Sequence, residues 1–218
     1  MKETSQVRRL HSFSVVAAVL LTLGWTGATA GPQDCCHSSA SKGDRPAAAA
    51  SAPATPISSV SAEDLRKEFN ASSQKVRILA LLSPTCPECQ SGHAIMGSIL
   101  RKFPSPGLQA LLVWEPMRDG DSPATAADQA GTVQDGRISQ GWNGSRDVGK
   151  LFEATLDLHQ IAWDVYLIYK PGIIWEGREP PHPTFWMHQL SGADPSLLLC
   201  VNPARLSTEV GKLLGQPN

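Results

Sequence analysis

The chain contains 218 residues, and its 19 lysines and arginines nearly balance its 20 aspartates and glutamates, giving a formal net charge of −1 at pH 7. Because no basic excess or basic run is present, nothing in the sequence indicates a nucleic-acid-binding surface. Hydrophobic residues make up 41% of the chain, which is ordinary for a globular protein. Four of the five cysteines lie in two close pairs, a pattern that argues against a small disulfide-scaffold protein.

Residues 1–30 have the pattern of a secretory signal peptide. Three basic residues precede an apolar run from Phe13 to Trp25, and the segment closes on Ala28-Thr29-Ala30, a small-residue cleavage site. The run is shorter than the roughly 20 apolar residues that a membrane helix needs. We expect an exported protein, in the bacterial periplasm or another extracytoplasmic space, with no membrane span in the mature chain. An uncleaved N-terminal anchor is the alternative.

The segment 31–57 is dominated by alanine, serine and proline, which bury too little apolar surface to offset the entropy of ordering the chain. We predict a disordered linker there and one folded domain over 58–218, within the usual size of a single domain. We expect that domain to be a monomer. Ser61 is a typical N-cap residue, so the first helix is predicted over Ala62 to Phe69.

The next elements form a strand, a helix and a second strand. Val76 to Leu82 is a nearly continuous apolar run, typical of a parallel strand covered on both faces. A helix is predicted from about Cys86, and a second apolar strand from Leu108 to Trp114. This order predicts a parallel crossover unit, which is right-handed in nearly all known proteins.

The second half of the chain is predicted to close the fold with a hairpin and a helix. Strands at 165–169 and 173–176 are joined by Lys170-Pro171-Gly172, whose proline and glycine suit the central positions of a type II turn. The other predicted elements are a helix capped by Ser122-Pro123, an irregular stretch through Trp142, a helix from about Asp147 to Leu156 capped by Ser145, and a last helix capped by Asn202 with Pro203 at its first position.

A Cys-Pro-Glu-Cys motif from Cys86 to Cys89 lies at the first strand-to-helix turn of this pattern. With the crossover unit, the hairpin and the terminal helix, it resembles the thioredoxin fold over roughly residues 60–214, and Tyr169 to Gly172 is similar to the Phe-Lys-Asn-Gly turn of thioredoxins. The resemblance implies an α/β protein, thioredoxin-like, with three α/β/α layers and a mixed central sheet.

The placement of the two cysteines indicates thiol-disulfide chemistry. Cys86 is predicted at a helix N-terminus, which stabilises a thiolate, so it is the expected nucleophile, and Cys89, one turn further, is the expected resolving thiol. The Glu88 carboxylate disfavours the thiolate, which predicts a reducing bias. The expected partners are protein thiols and disulfides and an unidentified electron donor, without a cofactor. Candidate substrate-binding residues are Thr85, Pro87, Glu88 and Trp163.

Two positions depart from the thioredoxin pattern. Thioredoxins carry a buried acid six residues before the first cysteine, and Ala80 stands there in this chain. The family's cis-proline position falls on Asp164, where a cis bond would cost about 3 to 4 kcal/mol, so a trans peptide is predicted. Asp164 is therefore expected to place a carboxylate near the sulfurs, as the acid-base group, as a metal ligand, or only as a turn residue.

Histidines raise a second hypothesis. His93 lies four residues beyond Cys89, and His159 precedes the strand at Val165. Two thiolates and an imidazole are suitable ligands for Cu(I) or Zn. The copper-delivering Sco-like branch of this fold uses two cysteines at the same turn and a histidine roughly where His159 stands, which implies a metal site of Cys86, Cys89 and His159. A thioredoxin-fold interaction module without turnover is the third hypothesis.

Three other features have open interpretations. The Cys35-Cys36-His37 cluster is either a site for soft metals or an inert part of a disordered tail. The aromatic segment Pro180 to His188 is either a partner-binding lip near the cysteines or a hydrophobic flap over the core. Cys200 is predicted as a buried apolar residue, with pairing to the Cys35-Cys36 tail as the alternative.

Overall fold

The computed structural model describes residues 56–190 and 200–216. The predicted signal peptide, most of the predicted linker and the Cys35-Cys36-His37 cluster lie outside these residues. The helices are α1 (Ala62–Ala71), α2 (Pro87–Lys102), α3 (Pro123–Ala130), α4 (Asp147–Thr155) and α5 (Pro203–Leu213). The strands are β1 (Val76–Leu82), β2 (Leu108–Trp114), β3 (Ile138–Trp142), β4 (Val165–Tyr169) and β5 (Phe185–His188). In the described part of the chain, no helix is both long enough and apolar enough to cross a bilayer.

The strands form one mixed sheet in the order β3-β2-β1-β4-β5. The first three neighbours run parallel, whereas β4 is antiparallel to β1 and β5 is antiparallel to β4. Helices α2, α3 and α5 pack on one face of the sheet, and α1 and α4 pack on the other. The predicted α/β/α layers and mixed central sheet are confirmed.

The centre of the sheet follows the sequence pattern closely. All seven residues of β1 are buried, and β1 pairs with β2 on one side and β4 on the other. The cap at Ser61 is also confirmed, because its hydroxyl accepts from the backbone N–H of Asp64 at 3.1 Å. Asn202 caps α5 in the same way, accepting from the Arg205 N–H at 2.9 Å.

The predicted cap of α4 is wrong. The N-cap residue is Arg146, in a left-handed conformation (φ 58°), and it makes no side-chain cap bond. Ser145 instead donates its hydroxyl to Asp147 Oδ1 at 2.7 Å. The Gly149 N–H, one of the free donors of the first turn, is taken by Glu115 Oε1 at 2.9 Å, from the end of β2. The helix start is therefore stabilised by a side chain 34 residues away in sequence.

The predicted strand at 173–176 is also wrong, and the hairpin partner of β4 is β5. The side chain of Trp175 is buried against the rings of Phe69 and Phe152. Its backbone N–H and carbonyl are both bonded to the Asn70 side chain, at 2.8 and 3.0 Å. Because these groups are already paired, the segment covers the α1/α4 face instead of joining the sheet. The glycine of the turn does take a positive φ, with Gly172 at 89°.

Two edge elements were not predicted. Strand β3 falls in the stretch expected to be irregular, because its sequence, Ile-Ser-Gln-Gly-Trp, has no apolar run and its first three residues are only half-buried. Its last residue, Trp142, pairs with Ser59 from the segment before α1. The aromatic segment predicted as a lip or flap contains β5, whose Met187 is buried in the core. An edge strand has only one neighbour, so its sequence carries a weaker signal than that of β1.

Candidate dithiol site

The site begins where β1 ends and α2 starts. Cys86 is the N-cap residue of α2, and Pro87 occupies the first helical position, where the missing N–H of proline costs nothing. The Cys89 backbone N–H donates to Cys86 Sγ at 3.5 Å. Both cysteines are free thiols, 2% and 0% exposed respectively. The expected placement of a sulfur at a helix N-terminus is confirmed.

The two thiols differ in acidity. The hydrogen bond with the Cys89 thiol lowers the pKa of Cys86 below its ordinary value, and the Cys89 backbone N–H acts in the same direction. Burial and the Glu88 carboxylate, which accepts from Cys86 Sγ at 3.2 Å, oppose this shift. Burial, followed by the bond with Cys86 and the charge of Asp164, raises the pKa of Cys89 well above its ordinary value. The first cysteine is thus the better thiolate of the pair.

Asp164 lies directly beside the sulfurs. Its carboxylate and the two Sγ atoms are all within 4.8 Å of one another, and Asp164 is 2% exposed. The described residues contain no cis peptide bond, and Asp164 has a φ of 51°, a left-handed conformation that aspartate tolerates better than most residues. The predicted trans peptide and the predicted carboxylate near the sulfurs are therefore both observed.

Two neutral donors hold this carboxylate. The Tyr166 hydroxyl donates to Asp164 Oδ1 at 2.8 Å, and the Gln189 side chain donates to the same oxygen at 3.1 Å. Burial raises the pKa of Asp164, while the bonds from Tyr166, Gln189 and the Cys89 thiol partly offset that shift. Gln189 also donates to the Glu88 carbonyl at 3.1 Å, so it joins the end of β5 to the motif.

Tyr166 occupies the space beside the position where thioredoxins carry their acid. In the antiparallel register Ala80 pairs with Tyr166, and the two side chains share one face of the sheet. The Tyr166 hydroxyl also needs the absence of a side chain at Gly92, because a Cβ there would lie 1.6 Å from it. A small strand residue and a helical glycine together make room for the ring that reaches Asp164.

The loop before the motif is held by Asp121. Its carboxylate accepts from the Ser83 hydroxyl at 2.7 Å and from the Thr85 N–H and hydroxyl at 3.0 and 2.7 Å. It also accepts from the backbone N–H groups of Met117 and Arg118, at 2.9 and 2.8 Å. Asp121 therefore ties the loop after β2 to the loop that presents Cys86. No sequence pattern indicates this link, because the bonds to Ser83 and Thr85 span 36 to 38 residues.

The candidate substrate-binding residues differ in exposure. Pro87 is exposed, and Glu88, Thr85 and Trp163 are half-buried. Trp163 packs against the core on both faces of the sheet. The hydroxyl and the N–H of Thr85 both donate to Asp121, so the observed role of Thr85 is to hold the loop before the motif in place. Contact of these four residues with a substrate stays a prediction.

The histidines do not join the sulfurs. Among the residues that the structure describes, the group of three close metal-ligand side chains at this site is Cys86, Cys89 and Asp164. His159 is exposed. His93 is buried, with Nδ1 3.3 Å from the Thr132 hydroxyl, and burial lowers its pKa to about 4. A carboxylate stands where the metal hypothesis placed an imidazole.

Cys200 is not the buried apolar residue that was predicted. It is half-buried and takes part in a disulfide, and its backbone pairs with His188 at the edge of the sheet. The partner cysteine lies outside the described residues. The predicted alternative was a disulfide with the Cys35-Cys36 tail, and those two cysteines are also outside the described residues.

No protein-family model matches the chain, and no curated protein matches it. Among solved structures, a secreted Mycobacterium tuberculosis disulfide oxidoreductase homologous to E. coli DsbE is 10% identical (TM-score 0.44), with 65% of this chain and 85% of that chain covered. A putative thiol:disulfide interchange protein DsbE from Chlorobium tepidum is 11% identical (TM-score 0.43), with 67% of this chain and 82% of that chain covered. A SCO1/SenC family lipoprotein from Bacillus anthracis is also 11% identical (TM-score 0.41), with 66% of this chain and 85% of that chain covered. Similarity at this level does not identify the function of the chain.

The fold itself is clear from the topology. A parallel crossover unit joins β1, α2 and β2, an antiparallel β4-β5 pair follows, and α5 packs beside α2. The dithiol lies at the turn from β1 into α2, and Asp164 immediately precedes β4. The chain has a thioredoxin-like fold with the Asp164 carboxylate beside its dithiol.

Proposed function

We propose that this chain is an exported thiol-disulfide oxidoreductase that reduces protein disulfides through Cys86 and Cys89. The observation that carries the proposal is the reduced dithiol at the N-terminus of α2 with the Asp164 carboxylate within 4.8 Å of both sulfurs. A static structural disulfide would not need a thiol of lowered pKa, a second thiol of raised pKa and a buried acid in contact with it.

The reaction needs two exchange steps. The Cys86 thiolate attacks one sulfur of a partner disulfide, forms a mixed disulfide and releases the other partner sulfur as a thiolate. Cys89 then attacks Cys86 Sγ, which releases the partner's remaining sulfur. The partner gains two electrons, and the Cys86–Cys89 disulfide forms. A dithiol electron donor restores the pair by the same steps in reverse.

Asp164 is the proposed proton acceptor of the second step. Cys89 is fully buried and must lose its proton before it attacks. Asp164 accepts a hydrogen bond from its thiol, and burial raises the pKa of this carboxyl, so it can hold the proton that Cys89 releases. In thioredoxins the corresponding acid precedes the motif by six residues, where this chain has Ala80.

Trapping tests the proposal. Replacing Cys89 with serine removes the resolving thiol, so partners are expected to accumulate as mixed disulfides on Cys86. The double replacement of Cys86 and Cys89 is the matched control, and it should capture nothing. If the single variant also captures nothing from a cell envelope extract, the oxidoreductase function is excluded. If the chain keeps its cellular function with both cysteines replaced, the hypothesis of a thioredoxin-fold interaction module without turnover is favoured.

The proposed reducing direction of the reaction and the proposed export of the chain are each tested by a separate measurement. Glu88 accepts a hydrogen bond from the Cys86 thiol and thereby opposes thiolate formation, which favours a reducing potential. A potential as high as those of strongly oxidising periplasmic enzymes would contradict this bias. For export, the chain recovered from the periplasm should begin at Gly31. A full-length chain retained in the cytoplasm would contradict the signal-peptide assignment of residues 1–30.

A further inference from the structure

We propose that the reduced dithiol binds one Zn²⁺ ion through Cys86, Cys89 and Asp164, and that the bound ion holds the pair in an unreactive form. The inference uses the same dithiol as the proposed oxidoreductase and adds a ligand and a regulatory state to it. Within the described residues, these three side chains offer ligand atoms that lie within 4.8 Å of one another.

The spacing fits a zinc site after a small adjustment. Zinc bonds of about 2.0 to 2.3 Å in a tetrahedral arrangement place neighbouring ligand atoms about 3.5 to 3.8 Å apart. Because the three ligand atoms lie within 4.8 Å of one another, they need to approach by at most about 1.3 Å. Cys86 is the N-cap residue and Cys89 lies one turn into α2, so both sulfurs come from a single rigid helix start. Asp164 supplies the oxygen from the end of the neighbouring loop.

The carboxylate is oriented as metal-bound carboxylates are. Tyr166 and Gln189 both donate to Asp164 Oδ1, at 2.8 and 3.1 Å, and the further donor to this carboxylate is the Cys89 thiol, which gives up its proton when zinc binds. Hydrogen bonds of this kind fix the direction of a ligand and reduce the entropy lost when the ion binds. Tyr166 is fully buried and Asp164 is 2% exposed, so this orientation is set by the core.

The donor set favours zinc over copper. Cu(I) selects soft sulfur and imidazole ligands, whereas zinc accepts thiolates together with a carboxylate. A Sco-like copper site would need His159 in place of Asp164, and His159 is exposed and outside the group. Three protein ligands leave a fourth position for water, as in zinc sites that keep an open coordination position.

Binding and redox activity exclude each other. When Zn²⁺ binds, two S–H bonds are replaced by two S–Zn bonds, two protons pass to solvent, and no electrons move. The Cys86 sulfur then uses its lone pair on the metal and does not attack a disulfide. Removal of zinc by a chelator returns the two thiols. Once the ion has left, the free pair can pass two electrons to a partner disulfide, and the resulting Cys86–Cys89 disulfide has no thiolate left to bind zinc.

The test is zinc titration of the full chain in its reduced form, with cobalt as a spectroscopic probe. A background with Cys35, Cys36 and Cys200 replaced by serine removes the other sulfur ligands. In this serine background we expect one zinc per reduced chain and a thiolate-to-cobalt charge-transfer band. Asp164→Asn should weaken zinc binding at least about 100-fold, whereas His159→Ala should leave it unchanged. The oxidised chain should bind none at this site.

Two results would overturn the inference. The first is a lack of stoichiometric zinc in the reduced serine background, and the second is Asp164→Asn binding zinc as tightly as the unmodified chain. Loss of binding in His159→Ala would point to the histidine site instead. The outcome is separable from that of the proposed function. If mixed disulfides are trapped but zinc does not bind, only the proposed zinc site is refuted. If zinc binds but no partner is trapped, only the proposed oxidoreductase function is refuted.

Discussion

The two faces of the central sheet bury ionisable groups in opposite ways. On the α2 face, Cys86, Cys89 and Asp164 lie within 4.8 Å of one another, and each can lose or gain a proton. On the α1/α4 face, the fully buried Arg77 donates to the carbonyls of Phe69 and Lys170, at 3.0 and 3.1 Å. Carbonyl groups do not titrate, so the Arg77 contacts do not depend on protonation, whereas those of the dithiol depend on which of its three groups carries a proton.

The Arg77 cation is stabilised without a carboxylate partner. Its guanidinium lies 4.0 Å from the centroid of the Phe69 ring, a cation–π contact that adds to the two carbonyl bonds. Burial lowers its pKa to about 10, which still leaves it charged at neutral pH. The α1/α4 face is therefore suited to stability and the α2 face to chemistry, and substitutions on the two faces should differ in which property they change.

The largest expected effect is on the chemical face. Cys86→Ser should abolish disulfide reduction, because a hydroxyl at this position is not ionised at neutral pH and cannot form a disulfide. Serine is a good N-cap residue, so the free energy of unfolding should change by less than about 1 kcal/mol. Reduction of a disulfide-bonded peptide and chemical denaturation measure the two quantities. Substantial residual reduction would exclude Cys86 as the nucleophile.

Glu115 offers the next largest effect, on stability as a function of pH. Burial raises its pKa from 4.5 to about 8 in the folded state. Between these values the unfolded chain releases the proton while the folded chain keeps it, so the free energy of unfolding falls as pH rises through this range. Glu115→Gln removes this loss. The variant should gain stability relative to the unmodified chain as pH rises from 4.5 to 8, by an upper limit of about 5 kcal/mol.

The control for this prediction is Glu179→Gln, because Glu179 is exposed. Its difference from the unmodified chain should stay nearly constant over the same pH range, since groups such as His93 titrate equally in both proteins. Urea unfolding at several pH values measures both differences. A Glu115→Gln difference that does not change with pH would mean that Glu115 is not buried in its neutral form.

Arg77→Lys tests the stabilising face directly. A lysine ammonium keeps the charge but cannot span two carbonyls with the planar fork of arginine, so one buried carbonyl loses its donor. We expect a loss of about 2 to 3 kcal/mol in the free energy of unfolding. Arg66→Lys is the control, because the contacts of Arg66 are exposed: an ion pair with Glu63 and a hydrogen bond to the Glu176 carbonyl at 3.0 Å. That substitution should cost less than about 1 kcal/mol.

Disulfide reduction by the folded Arg77→Lys chain should proceed at the normal rate well below its melting temperature. A slower rate under those conditions would show that the two faces are coupled through β1, and the division between stability and chemistry would fail. Chemical denaturation and peptide reduction at low temperature supply the two measurements.

The sequence predicts the parts of this molecule that depend on local signals. The apolar run of β1 and the Cys86-Pro87 helix start are both recognisable from a few adjacent residues. Asp164 was expected near the sulfurs because the family resemblance places that position opposite the motif. The fold class followed from the order of these elements.

The side-chain contacts that support Asp164 and the Cys86 loop could not be predicted from the sequence, for a physical reason. Gln189 reaches Asp164 only because β5 lies at 185–188, and the sequence pattern favoured 173–176 for that strand. Asp121 holds Thr85 across 36 residues, a contact that no periodicity records. The pairing of Tyr166 with Ala80 depends on strand register, which is fixed by the whole sheet. Long-range side-chain bonds therefore had to come from the structure.

The smallest effect is expected from a matched pair of tyrosines, one on each face. Tyr166 and Tyr169 are both buried and each donates one hydrogen bond, to Asp164 at 2.8 Å and to the Pro181 carbonyl at 3.1 Å. Replacing either with phenylalanine should cost about 1 kcal/mol of stability. Only Tyr166→Phe should also lengthen the lifetime of the mixed disulfide, by a few-fold, because Asp164 loses a donor that orients it beside Cys89. Equal lifetimes in the two variants, measured by rapid quenching, would mean that Gln189 alone suffices to orient Asp164.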